Sequence, residues 1–127
     1  MADFRLSASA ETDIVNVLAW SEETFGEIIR QRYEELLITG LRDIASDPER
    51  AGSLSRTELG EAVRSYHLRH SRERARMLHG FVRRPRHLLL YRAIAPGLIG
   101  IGRVLHDAME PGRHLPPNYG EGPLGES

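Results

Sequence analysis

The stretch that decides the fold is "RHLLLYRAIAPGLIGIGRVLH", Arg86–His106. Its first part, Arg86–Ile94, is a nearly continuous apolar run of strand length, which places it at the centre of a sheet. Ala95-Pro96-Gly97 is a turn signal, and Leu98–His106 then resumes as a second apolar run. Two such runs joined by a tight turn predict an antiparallel pair. Gly100 and Gly102 lie on one face of the second strand, where a neighbour can approach closely.

The rest of the chain supplies what packs on that sheet. "EIIRQRYEELLITGLRDIAS" (Glu27–Ser46) sets Ile29, Tyr33, Leu36, Leu37, Leu41 and Ile44 on one helical stripe, and Asp47-Pro48 stops it. Before it, "DFRLS" (Asp3–Ser7) alternates as a short strand. Ser7 or Ser9 can cap a helix with Glu11 and Asp13 in its first turn, running to about Thr24 with Ile14, Leu18 and Phe25 on one side. Gly26 separates the two helices, which predicts an antiparallel hairpin laid on the sheet. Trp20, Phe25 and Tyr33 read as hairpin core. Val15 and Ile28 fall off the main stripe and are left to form a groove for a partner helix.

"AVRSYHLRH" (Ala62–His70) reads as a half-buried strand. The predicted order is β-α-α-β-β-β, an α+β two-layer domain over residues 1–115. Residues 116–127 form a Pro/Gly-rich tail expected to be flexible.

At 127 residues the chain supports one core. No run nears the length of a membrane helix and "MADFRLSASAETD" is not a signal peptide, so the cytoplasm is the expected location. With no cysteine there is neither a disulfide framework nor a thiolate nucleophile. Residues 1–61 carry 6 arginines and 13 acids, whereas residues 62–127 carry 11 arginines and 5 acids. There is no lysine. Arginine suits bidentate contact with carboxylate or phosphate, so the second half points to an acidic partner, protein or nucleic acid.

Four stretches carry a family likeness. "FRLSASAETDIVNVLAW", "QRYEELLITGLRDIASDPERAG", "ELGEAVRSYHL" and "LLLYRAIAPGLIGIGRVLHDAMEP" resemble, in order, the opening strand and helix, the second helix with its Pro-x-x-x-Gly exit, the Arg-Ser-Tyr strand and the final hairpin of the ParE toxins of the RelE/ParE superfamily. Val63 stands where leucine is more usual. The resemblance implies a β-α-α-β-β-β RelE/ParE-like fold, with a helical hairpin on a small, mostly antiparallel sheet. It implies a plasmid-stabilising type II toxin that inhibits DNA gyrase by protein contact, rather than an enzyme, and that is neutralised by a ParD-like antitoxin. No cofactor is implied. A typical member turns within a few residues from the Arg-Ser-Tyr strand to the Tyr-Arg strand. Here an Arg-rich insertion of about sixteen residues, His70 to Arg86, intervenes, with Ser71 placed to cap a short helix "RERARMLH" and Gly80 to end it.

RelE-type relatives cut mRNA on the ribosome, and that chemistry needs cationic clamps with an acid and a base. Arg64 and Arg103 are candidate clamps, and Tyr91 and His106 candidates for proton transfer. The competing reading gives Arg64, Tyr66, Tyr91, Arg103 and His106 to partner contact, together with Arg69, Arg72, Arg76, Arg83 and Arg84 of the insertion. Deleting residues 71–84 is then expected to change partner affinity more than it damages the fold. Direct nucleic-acid binding ranks lower, because Phe81 is the sole stacking platform within the arginine cluster. No metal is expected: His67 and His70 face opposite ways on a strand, and His79 and His87 have only Glu73 nearby.

Overall fold

The computed structural model describes residues 3–77 and 80–109. Along them run β1 (Asp3–Leu6), α1 (Ala8–Phe25), α2 (Glu27–Ser46), β2 (Ser53–Ser55), β3 (Arg64–His67), β4 (His87–Ala95) and β5 (Leu98–His106). Among the described residues the strands form one mixed sheet in the order β1-β5-β4-β3-β2. β1 runs parallel to β5, and the other neighbours are antiparallel. The apolar run of β4 thus takes the middle position. Pro96 and Gly97 make the turn into β5, with Gly97 in the left-handed region at φ 72°.

The helix signals act where they stand. The Ser7 hydroxyl accepts from the Ala10 amide at 2.9 Å, capping α1. Gly26, at φ 93°, is both the end of α1 and the start of α2. On α2, Tyr33, Leu36, Leu37, Leu41 and Ile44 are buried, and they meet Tyr66, Leu68, Leu89, Tyr91, Ile99, Ile101 and Val104. Each fully buried leucine or isoleucine in this layer contributes about 1.5–3 kcal/mol. Two glycines are needed for close approach. A Cβ on Gly40 would lie 2.6 Å from Leu68 Cδ2, and one on Gly52, already at φ 99°, would lie 2.6 Å from the His70 ring.

Several expectations are corrected. The strand expected over Ala62–His70 spans only Arg64–His67 and turns at Leu68–Ser71. The cause is local and tertiary together: His67 Nδ1 accepts from the Arg69 amide, and Ser71 is drawn inward to Tyr66 and Asp43. β2, three polar-flanked residues at the sheet edge, carried no periodic signal and exists by pairing with β3. No helix forms over "RERARMLH" among its described residues. Arg72–Ala75 are turns, and Met77 pairs with Gly80. Ser71 is therefore not a helix cap. Trp20 and Phe25 are not core either, being 48% and 58% exposed. His79 and the predicted tail, 116–127, lie outside the described residues.

Candidate functional site

Of the groups that suggested catalysis, the fold brings together Arg64 and Tyr91 and no others. They are cross-strand partners on β3 and β4. The Tyr91 hydroxyl donates to the Pro48 carbonyl and lies in hydrogen-bond contact with the Ser53 hydroxyl, to which Arg64 Nε donates at 2.7 Å. This cluster ties the exit of α2 to the sheet. Tyr91 is fully buried, and burial pushes its pKa up against the hydrogen bonds from Ser53 and Arg64. Tyr66 is equally buried, and its hydroxyl bonds Ser71 at 2.8 Å. Both tyrosines, expected at a partner surface, are parts of the frame.

Arg103 is held elsewhere. With β4 between them, the backbones of β3 and β5 are about 10 Å apart. Arg103 Nε and Nη2 donate to the Asp13 carboxylate at 2.7 and 2.8 Å, and the Val104 amide joins at 2.9 Å. β1 ends at Leu6, opposite Ile101, so beyond that point the β5 edge has no strand partner among the described residues, and Asp13 from α1 supplies an acceptor. The hydrogen bond to Asp13 raises the Arg103 pKa, fixing it as a cation. Replacing Asp13 with alanine is expected to cost about 2–3 kcal/mol, because it removes the carboxylate that both the Arg103 guanidinium and the Val104 amide bond. Urea unfolding of this variant tests the point; a loss under about 1 kcal/mol would refute it.

His106 closes β5, about 13 Å along the strands from the Tyr91 level. Its Nδ1 accepts from the Ala108 amide, and its ring meets His87 edge to face at 5.4 Å. His87 is buried. The Tyr33 hydroxyl accepts from the Arg86 amide at 3.1 Å and shares a 2.6 Å hydrogen bond with His87 Nδ1. Burial, then the charge of His106, lower the His87 pKa to about 4, and burial raises that of Tyr33 to about 12. Asp107 completes this end of the sheet, bonded to His67 Nε2 and to Arg86, each at 3.1 Å. His70 lies in the turn after β3, its ring tilted on Tyr66. Among the described residues no group of three His, Asp or Glu is arranged to hold a metal ion.

The Arg-rich segment is less free than its composition suggests. Ser71, Ala75 and Pro85 are buried, and Arg74 pairs with the buried carboxylate of Asp43 at 3.0 Å. Arg76 lies over the Phe81 ring, and Arg72 donates to the Arg83 carbonyl. Deleting residues 71–84 would remove core contacts as well as charge, so the expectation of a spared fold is withdrawn. Arg69, Arg72, Arg76, Arg83 and Arg84 remain exposed, as do Val15 and Ile28. Trp20 and Phe25, assigned to the core by hydrophobicity alone, stand outside in T-shaped contact at 5.6 Å. Their position in the last two turns of α1, next to the Gly26 break, was the available signal.

A helical hairpin on one face of a mixed sheet, with its polar clusters tied into the frame and its apolar and arginine side chains outside, defines a small α+β domain of the RelE/ParE kind. The chain belongs to the family described as ParE toxin of type II toxin–antitoxin system, parDE, which matches it over residues 4–111. It is accordingly a type II toxin by family, a class that works with an antitoxin partner. No curated protein matches it significantly. Among the described residues no helix is long and apolar enough to cross a membrane.

Proposed function

We propose that this chain inhibits DNA gyrase by protein–protein contact and is held silent by a ParD-like antitoxin, in a module that stabilises its replicon. The observation that supports this reading is the division of labour just described. Arg103 and His106 are engaged away from Arg64 and Tyr91, whereas Trp20, Phe25, Arg83 and Arg84 are exposed around one recess. Such a surface suits association more than acid–base chemistry. Segment 70–86 is read as this chain's own elaboration of the fold, serving partner contact.

Purified chain at stoichiometric ratio is expected to abolish gyrase supercoiling or to trap its cleavage complex, and added antitoxin to restore activity. Unchanged supercoiling, or codon-positioned mRNA cleavage on programmed ribosomes, would overturn the proposal.

A further inference from the structure

A recess of about 350 Å³ opens between the α1–α2 junction and residues 81–86. Trp20, Phe25, Ile29 and Val82 make it apolar, and the exposed Arg83 and Arg84 border it. These two arginines have no carboxylate partner among the described residues, whereas Arg74, Arg76 and Arg86 each have one. Ser21 also lines the recess, 1% exposed, and its hydroxyl has no hydrogen-bond partner among the described residues. A concave apolar floor, with guanidinium groups lacking a carboxylate and a buried hydroxyl lacking a partner among the described residues, makes an incomplete site.

We propose that this recess is a docking groove for an acidic peptide segment of a partner protein. One large apolar side chain of that segment fills the space between Trp20, Phe25 and Val82, and flanking carboxylates pair with Arg83 and Arg84. Guanidinium forks match carboxylates bidentately, and the apolar floor excludes the water that would screen them. A nucleic acid fits less well. Trp20 and Phe25 meet edge to face rather than presenting parallel stacking planes, and Ile29 and Val82 offer nothing to a base. Assigning the segment to the antitoxin rests on the toxin reading; the groove's preference for an acidic, apolar-anchored peptide does not.

Trp20 is the only tryptophan in the chain, so the groove carries its own fluorophore. Titration with the synthetic peptide Glu-Asp-Leu-Phe-Asp-Glu is expected to shift Trp20 emission to the blue, saturably and less strongly at high salt. The same peptide with two glycines in place of Leu-Phe is expected to leave the emission unmoved. An Arg83→Ala/Arg84→Ala variant, changed only at exposed positions, is expected to bind roughly tenfold more weakly. Absence of any shift at millimolar peptide, equal affinity in the double variant, or a response to oligouridylate in place of the peptide would each overturn the assignment. These outcomes are read without gyrase, so they separate failure of the groove from failure of the proposed target.

Discussion

Replacement of Asp43 by alanine is expected to destabilise the chain by about 3–5 kcal/mol, the cost of breaking a buried charged network by removing one partner. Asp43 sits on α2 with its side chain 5% exposed. Its carboxylate accepts from Ser71 at 2.7 Å and from Arg74 at 3.0 Å, and it pairs with Arg50 at 3.3 Å. Ser71 in turn contacts the Tyr66 hydroxyl, and the Arg50 guanidinium lies 5.8 Å from the Tyr66 ring centroid. Alanine would leave a partly buried Arg50 without its anion and release the turn at Leu68–Ser71. Arg74→Ala removes a side chain that is 65% exposed and is expected to cost under about 1 kcal/mol. Urea midpoints, read with hydrogen exchange over residues 68–77, distinguish the cases. Similar midpoints for Asp43→Ala and Arg74→Ala would refute a central role for the buried carboxylate.

The second large effect is acid lability centred on His87. The folded chain keeps this ring neutral down to about pH 4, whereas the unfolded chain protonates it near pH 6.5. Between those values the unfolded state holds the extra proton, so stability falls as pH falls, by up to about 1.4 kcal/mol per unit and about 3 kcal/mol over the window. Above pH 6.5 His87 contributes no slope. The nearby groups do not rescue the charged form: the ring is buried, His106, His67 and Arg86 repel a second cation, and only Asp107 opposes them. Burial pushes the Asp107 carboxyl up, but the bonds from His67 and Arg86 together outweigh it and hold the group below the usual carboxylate range, so it adds its own loss at lower pH. The comparison that isolates His87 is chemical denaturation from pH 4 to 7 of the wild type and of His87→Gln, which keeps an acceptor for Tyr33 but does not titrate. His67 and His70, whose pKa values are also lowered by burial, leave a smaller slope in the variant, and a slope as steep as the wild type's would place the lability elsewhere.

Legibility followed the range of the interaction. The α2 stripe, the Ser7 cap, the Pro48 stop and the Pro96-Gly97 hairpin were readable because each is a pattern over a few neighbouring residues. β2 was not readable: "SLS" has no pattern of its own and becomes a strand through β3. The short helix expected after Ser71 failed for the converse reason. Its local capping signal was sound, yet Ser71 bonds Asp43 and Tyr66 in the core and Arg74 follows it to the same carboxylate.

The candidate site divides the same way. Residue type singled out arginines, tyrosines and histidines as candidates for chemistry, but type carries no information about distance. Arg103 meets Asp13 across 90 residues, and Tyr33 meets His87 across 54. Those pairings consumed groups that composition alone left free for catalysis, and they left Trp20, Phe25, Arg83 and Arg84 outside. By itself, then, the sequence determined the two helices, the β4–β5 hairpin, the cores of β1 and β3, their order and the family likeness, because helix and strand periodicity and turn chemistry act locally. Only the tertiary structure decided which polar groups are frame and which are surface, because burial and pairing depend on residues far apart in the chain.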